Sequence, residues 1–272
     1  MLPLVIALAG ALALVQSPAA DSQTGASRVA LATVLDSRNR PVLDVGVDDF
    51  VIQEAGVARE VLSVRPADYP IVVLLDTGFD ARGDLSMMRR AVAHFIERVG
   101  QRPIAIGTLG GTPKLVATFE DDRTAVTAAL SALDTTSNAP TAILQGAALA
   151  ADTIRQSGAL FSAIIVLSSS SLDASRGSPD QMIASIIDSN AILHVVANRA
   201  VQATTGGGFR PAVAMRALAE QSRGEFTAIY SAASFQAALD RLAERFTSEL
   251  MIEYIVPVGS KPNDVKLGVR LG

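Results

Sequence analysis

The sequence predicts an α/β fold with a doubly wound, mostly parallel sheet, accompanied by a small β module formed from the N- and C-terminal strands. From residue 70 to residue 249, short apolar runs alternate with stretches of helical length, the pattern that builds a parallel sheet with helices on both faces. Before residue 70 and after residue 249 only strands are expected. These strands are too few in either segment to bury a core alone, so the two segments are expected to pack together.

The first 20 residues are predicted to be a separate leader. Residues 4–15 are apolar and the first charged side chain is Asp21, after a run of small residues. This layout is typical of a signal peptide cleaved near Ala19 or Ala20, although only the α-amino group supplies positive charge. The alternative is an uncleaved membrane anchor, which needs about 20 apolar residues. Both interpretations predict export to the periplasm or the outside of the cell, and a stable membrane span is expected only if the leader is kept.

Residues 21–69 are predicted to be an N-terminal β segment. Short strands are expected at residues 28–35, 50–52 and 58–64, and Pro66 and Pro70 bound a linker. At the other end, residues 250–272 are predicted to form a β-hairpin from strands 250–258 and 264–271, packed with the N-terminal strands.

Residues 70–249 are predicted to be the main domain. Its expected strands are residues 71–75, 103–109, 114–119, 161–167, 191–197 and 225–229, and its expected helices are residues 85–99, 124–133, 142–156, 180–188, 212–221 and 234–247. The short turn from Gly110 to Pro113 predicts that strands 103–109 and 114–119 are antiparallel neighbours.

Composition excludes several classes of function. There is no cysteine, which rules out disulfides and thiolate metal sites, and a net charge of −4 without a basic stripe argues against nucleic acid as a partner. His94 and His194 both lie in apolar surroundings, so neither is expected to act as a ligand or a catalyst. A serine hydrolase would need a Gly-x-Ser-x-Gly nucleophile elbow, which the chain lacks. The protein is therefore not expected to be an enzyme.

Polar loops occur where three elements should meet at the carboxyl edge of the sheet, the edge that binds ligands in open α/β folds. Strand 71–75 runs into Asp76-Thr77-Gly78-Phe79-Asp80, Thr141 precedes helix 142–156, and strand 161–167 runs into serines 168–171. Simpler roles remain open for these residues. Asp76 could hydrogen-bond its own loop, Asp80 and Thr141 could cap helices, and the serines could be an ordinary polar loop.

Five landmarks along the chain carry a family resemblance. They are residues 34–42, residues 48–54, the apolar strand ending at Asp76, residues 217–226 and residues 253–257. Their order and spacing resemble the von Willebrand factor type A (VWFA) domains, most closely a group of exported bacterial proteins in which this domain follows a small β segment. The resemblance implies a Rossmann-like fold.

The resemblance also implies a metal-ion-dependent adhesion site, in which Asp-x-Ser-x-Ser, a Thr and a further Asp hold Mg²⁺ for a carboxylate of the partner. Asp76 and Thr141 match this pattern, whereas Gly78 and Asp80 stand where it has serines and Ser169 stands where it has the second aspartate. The implied ligand crevice is Asp76, Gly78, Asp80, Thr141 and Ser169, and the metal site is degenerate. No cofactor is expected. A divalent cation held weakly by Asp76, Asp80 and Thr141 is the alternative.

The function expected from these observations is an exported, non-enzymatic binding or adhesion-type module that holds a protein or peptide in the crevice at the carboxyl ends of the strands. One alternative is a structural scaffold with a decayed metal site that binds through another surface. A hydrolase is a remote alternative.

Overall fold

The computed structural model of the protein describes residues 25–38, 40–135, 138–170, 172–198, 211–261 and 264–270. The predicted leader at residues 1–20 and its cleavage site lie outside this part of the chain. The described residues divide into two compact units, one drawn from residues 25–30, 46–63 and 252–270, the other from residues 31–45 and 64–251.

Twelve strands and six α-helices are assigned in the described residues. The strands are β1 (Gly25–Thr33), β2 (Phe50–Glu54), β3 (Val57–Arg59), β4 (Val61–Pro66), β5 (Ile71–Leu75), β6 (Ile104–Thr108), β7 (Lys114–Ala117), β8 (Ala163–Ser168), β9 (Ile192–Asn198), β10 (Phe226–Ile229), β11 (Glu249–Pro257) and β12 (Val265–Val269). The helices are α1 (Leu85–Arg98), α2 (Arg123–Ser131), α3 (Ile143–Ser157), α4 (Pro179–Asp188), α5 (Pro211–Gln221) and α6 (Ser234–Ser248).

The central sheet has the order β10-β9-β8-β5-β6-β7 and is parallel except for β7, which is antiparallel to β6 as predicted. All residues of β5, β6 and β8 are buried, which explains their continuous apolar sequence. The predicted α/β fold class is confirmed. The chain leaves β5 for β6 on one side and later returns to β8 on the other. The strand order therefore reverses beside β5, at the position where open α/β sheets bind ligands.

Helices cover both faces of this sheet. On one face, Val72, Leu74, Ile164 and Val166 pack in a single apolar cluster with residues of α3, α4 and α5. Side chains alternate across a strand, so neighbouring residues point to the opposite face. On that opposite face of the sheet, α1 contacts both β5 and α6, and His194 of β9 lies against the Phe246 ring of α6. In the described part of the chain, no helix has the length and apolar character needed to cross a bilayer.

The terminal strands form two smaller sheets, with the orders β1-β11-β4 and β12-β2-β3. The predicted β module, in which strands from both ends of the chain pair, is therefore confirmed. The predicted hairpin at residues 250–272 differs from the structure, because β11 and β12 join different sheets and do not pair with each other. β11 lies between two strands, whereas β12 pairs with β2 alone among the strands that the structure describes. The predicted domain boundaries at residues 69 and 249 stay predictions.

The predicted strand 58–64 is in fact two strands, β3 and β4. Ala55 and Gly56 both have positive φ angles, 53° and 76°, as the central residues of a type I′ hairpin turn require. This turn folds β3 back against β2, with Val57 opposite Glu54. After Arg59 the chain leaves that hairpin and β4 joins the other small sheet.

Candidate functional site

The structure brings the predicted site residues together at the carboxyl edge of the central sheet. Asp76 directly follows β5, and Ser169 directly follows the neighbouring strand β8. Thr141 reaches the same edge because it forms an isolated antiparallel bridge with Gly110, two residues beyond β6. Asp76 is fully buried, with 0% of its surface exposed.

Asp76 accepts five hydrogen bonds from the surrounding loops. Its Oδ1 accepts from the Gly78 N–H at 2.9 Å and the Thr141 hydroxyl at 2.7 Å, and its Oδ2 accepts from the N–H groups of Ser169 and Ser170, both at 3.1 Å, and the Ser168 hydroxyl at 3.2 Å. Burial raises the pKa of the Asp76 carboxyl above its ordinary value, and these donors act in the opposite direction because they favour the charged form. One of the five bonds, from Gly78, lies within the loop that Asp76 itself begins, as expected if Asp76 hydrogen-bonds its own loop. The other four come from Thr141 and from residues 168–170 at the end of β8.

Gly78 is required by the close approach of Thr141. A Cβ atom at position 78 would lie 2.3 Å from the Thr141 Oγ1 atom and 3.2 Å from the Asp76 Oδ1 atom. A side chain at this position is therefore incompatible with the hydrogen bond between Thr141 and Asp76. The glycine that removes one metal ligand from the family pattern is also what allows Thr141 to donate directly to Asp76.

Asp84 is a second carboxylate of this site that the sequence analysis missed. Its Oδ2 accepts hydrogen bonds from the Ser169 hydroxyl at 2.6 Å and the Asn198 amide at 2.7 Å. Asp84 is the N-cap residue of α1, but its side chain makes no capping hydrogen bond. An aspartate just before a helix predicts a helix cap, so the sequence favoured capping over a contact with Ser169 and Asn198.

Neither Asp80 nor Thr141 is a helix cap. Asp80 lies in a single 3₁₀ turn, Phe79–Ala81, that ends before α1 begins, and the N-cap residue of α3 is Ala142. The first N–H groups of α3 are accepted instead by a later loop, where the Asp173 carboxylate takes the Ile143 N–H at 2.7 Å and the Ser175 hydroxyl takes the Gln145 N–H at 2.8 Å.

Little of the predicted crevice is open to solvent. Asp76, Gly78, Thr141 and Ser169 are buried, and Asp80 is partly exposed. Phe79 and Leu172 are among the large apolar side chains exposed at this edge, at 48% and 44%. Phe79 precedes Asp80 in sequence, and the Ser170 hydroxyl links Asp80 to the Leu172 backbone, since it lies 2.9 Å from Asp80 Oδ2 and 3.0 Å from the Leu172 carbonyl oxygen. We call Phe79, Asp80 and Leu172 the carboxyl-edge surface.

The residues present do not fit the metal site that the resemblance implies. Gly78 offers no side-chain oxygen, the Thr141 hydroxyl donates its proton to Asp76, and both Asp76 oxygens already accept protein donors. In the part of the chain that the structure describes, no group of three acidic or histidine side chains is arranged to hold an ion. Mg²⁺ prefers about six oxygen ligands in near-octahedral geometry, which this closed network does not provide.

His194 is buried away from this site. Its ring packs edge-on against Phe246, with centroids 5.5 Å apart, and neither ring nitrogen has a hydrogen-bond partner among the described residues. Burial, with a smaller contribution from the charge of Arg245, lowers the pKa of His194 to about 3. The expectation that this histidine belongs to the core agrees with that environment.

The sheet order, the covering helices and the position of Asp76 define the VWFA fold, and comparison with solved structures supports this. A von Willebrand factor type A protein from Catenulispora acidiphila superposes with a TM-score of 0.56 at 13% identity, over 93% of this chain and 71% of that one. Proximal thread matrix protein 1 from the mussel byssus, with a zinc-occupied adhesion motif, gives 0.50 at 12% identity, over 66% of this chain and 48% of that one. The PilB minor pilin from Streptococcus sanguinis gives 0.50 at 9% identity, over 68% and 62%.

The chain therefore has the VWFA fold predicted from its sequence, and likeness at such low identity establishes the fold alone. It spans about half the length of the mussel protein. No family model matches the sequence, and no curated protein is similar to it in sequence.

Proposed function

We propose that this protein is an exported, non-enzymatic binding module that holds a protein or peptide partner on its carboxyl-edge surface without a divalent cation. The observation that carries the proposal is the closed network around Asp76. Five uncharged protein donors stabilise this buried carboxylate by hydrogen bonding, in the place of the cation of the metal-dependent sites. Among the side chains that these loops leave at the surface are the apolar Phe79 and Leu172 and the acidic Asp80.

The chemistry of this surface favours a different partner from that of a metal-dependent site. A bound cation attracts a carboxylate of the partner, whereas Asp80 repels one. Aromatic side chains are enriched at the centres of protein interfaces, where their large apolar area is buried. Phe79 and Leu172 therefore suit an apolar segment, and Asp80 favours a basic or neutral group next to it.

The experiment that tests this proposal is affinity capture of exported proteins from the source cells with the purified chain as bait, in Mg²⁺ and in EDTA. Capture should persist in EDTA and be lost when Phe79→Ser and Leu172→Ser are combined. Leu160→Ser is the matched control, because Leu160 is 74% exposed and lies just before β8, at the amino edge of the sheet. Capture that needs Mg²⁺ would contradict the cation-free mechanism.

Thermal unfolding tests the cation separately. A ligand at a hundred times its dissociation constant stabilises the folded state by about 2.7 kcal/mol, which raises the melting temperature measurably. We expect no shift in millimolar Mg²⁺ or Mn²⁺, and a neutral or slightly stabilising effect of Asp80→Ala. A clear rise with metal that Asp80→Ala abolishes would restore metal-dependent adhesion as the mechanism.

The scaffold hypothesis remains the second candidate. It is favoured by the burial of four of the five predicted crevice residues, since buried groups cannot contact a partner unless the loops open. Capture that is insensitive to both the Phe79 and Leu172 changes would support binding through another surface.

A further inference from the structure

The outer edge of β12 is an unpaired strand edge with a defined chemistry. β12 lies at the end of the sheet β12-β2-β3, and no described strand pairs with its other side. The Ala55 N–H donates to the Asp264 carbonyl, and the Arg270 N–H donates to the Asp49 carbonyl, so Asp264 and Arg270 are bonded to the β2 side. In an antiparallel pair, successive residues alternate between bonding to the neighbouring strand and pointing away from it.

This alternation directs the backbone N–H and C=O groups of Val265, Leu267 and Val269 to the outer edge. The side chains of Val265 and Leu267 are 37% and 39% exposed. The intervening Lys266 and Gly268 bond to β2 through their backbones and are also exposed at the surface. An exposed edge that combines unpaired backbone groups with apolar side chains is a template for pairing with another strand.

We infer that this edge pairs, antiparallel, with the same edge of a second copy of the chain, about a twofold axis at Leu267. The pairing places Leu267 opposite Leu267 of the second copy and Val265 opposite Val269. These residues direct their backbone groups outward in both copies, so each donates one N–H and accepts one. The three apolar side chains of each copy then lie on one face of a continuous sheet. An interface that uses the same surface twice is the usual form of a twofold dimer.

The charged residues of the edge agree with this register. It places Asp264 across from Arg270 of the second copy, and Lys266 across from Gly268. Shifting the register by two residues in either direction would put Lys266 opposite Lys266 or opposite Arg270, and like charges directly opposite each other destabilise a strand pair. In the described part of the chain, neither Lys266 nor Arg270 makes an ion pair that would remove its charge from the edge.

Gly268 also fits the dimer better than it fits the isolated sheet. A Cβ atom there would contact nothing closer than the Val51 Cβ and carbonyl oxygen, both at 3.9 Å, so packing within the sheet does not require glycine. In the dimer, the missing side chain leaves room for Lys266 of the second copy.

The interface is small, so the dimer is weak. A standard specific interface buries about 800 Å² on each partner, and a five-residue edge buries much less. We expect a dissociation constant between about 10 μM and 1 mM.

Two measurements on the purified full chain test the inference. Sedimentation equilibrium should show reversible dimerisation in the micromolar to millimolar range. Amide hydrogen exchange by NMR should slow with protein concentration at Val265, Leu267 and Val269, whereas Lys266 and Gly268, already bonded to β2, serve as internal controls and should not change. A chain that stays monomeric to millimolar concentration, or equal slowing at all five amides, would overturn the inference.

Charge exchange tests the register. Arg270→Asp places two acids opposite each other, and Asp264→Arg places two bases opposite each other, so each variant alone should dimerise about tenfold more weakly. Mixed together, the two variants should form a heterodimer, because each opposed pair then has opposite charges. Gly268→Glu has the space it needs and should tighten the dimer about tenfold by pairing with Lys266 of the second copy. This register is excluded if the mixture forms no heterodimer and Gly268→Glu leaves the dissociation constant of the dimer unchanged. The Gly268→Glu result decides the question even if one charge variant folds poorly.

Discussion

Replacing Gly78 with serine restores the residue that the metal-dependent pattern has at this position, and we expect it to destabilise the protein. The Cβ atom of the new side chain would lie 2.3 Å from the Thr141 Oγ1 atom, which is far inside the sum of their van der Waals radii. Either the Thr141 side chain or the 76–80 loop must move. In both cases the 2.7 Å hydrogen bond from Thr141 to Asp76 is broken or distorted.

The cost has two parts. Losing a hydrogen bond to a buried charged acceptor costs about 1.5–3 kcal/mol. Forcing extra atoms into a packed site costs about 1–3 kcal/mol more. We expect a loss of about 4 kcal/mol in the free energy of unfolding, which lowers the melting temperature of a domain of this size by roughly 10 °C.

Thermal and urea unfolding of Gly78→Ser measure this loss, and Gly83→Ser is the matched control. A Cβ atom at Gly83 would have no neighbour within 4 Å, so the same chemical change five residues away should be almost neutral. The mechanism is isolated by repeating Gly78→Ser in a Thr141→Ala background. There the clashing hydroxyl is absent, and the cost should fall by about 2 kcal/mol, within the range of coupling energies measured for residues in contact. Additive effects of the two substitutions, or a Gly78→Ser protein as stable as the control, would refute the explanation given for this glycine.

Two further predictions concern a buried histidine and the leader. In the folded protein the pKa of His194 is lowered from 6.5 to about 3. The stability that its neutral form contributes is therefore complete above pH 6.5 and is lost as the pH falls toward 3. The loss is at most about 1.4 kcal/mol per pH unit. His194→Leu should flatten this part of the curve of unfolding free energy against pH, and an unchanged acid limb in this variant would contradict the argument. For the leader, N-terminal sequencing of protein recovered from the periplasm or medium should begin near Ala20 or Asp21, and an intact Met1 on cytoplasmic protein would exclude export.

Most of the central domain could be predicted from the sequence because its elements carry strong periodic signals. β5 and β8 are buried on both faces; β5 consists entirely of Ile, Val and Leu, and β8 has a run of four such residues. The terminal strands were harder to assign. The pattern of residues 58–64 shows apolar content but neither the turn at Ala55 and Gly56, whose positive φ angles fold β3 back against β2, nor the break after Arg59, beyond which β4 joins the other small sheet. Alanine is a rare residue at such an angle, so the sequence carried little sign of a hairpin there.

The candidate site could be located from the sequence, but its chemistry could not. Strand ends and the family pattern identified Asp76 and Thr141, which the structure joins by a direct hydrogen bond. The pattern could not show that Gly78 permits this contact, because a missing side chain has its effect through a neighbour 63 positions away in the chain. Asp84 was missed for the same reason: its partner Ser169 directly follows β8 and its partner Asn198 is the last residue of β9, both far from it in the chain.

The departures from the family's metal-binding pattern at Gly78 and Ser169 are each held by contacts with other residues, and this affects how the site could regain a metal. Ser169 stands where the family pattern has an aspartate, and its hydroxyl donates to Asp84 at 2.6 Å. Restoring an aspartate at position 169 alone would remove the hydroxyl donor and place a second carboxylate against Asp84, and like charges at short range repel each other. Restoring serine at position 78 alone would displace Thr141 from Asp76. Each single reversion destabilises the network before a cation site exists, so a return to metal binding needs simultaneous changes at positions 78, 84 and 169.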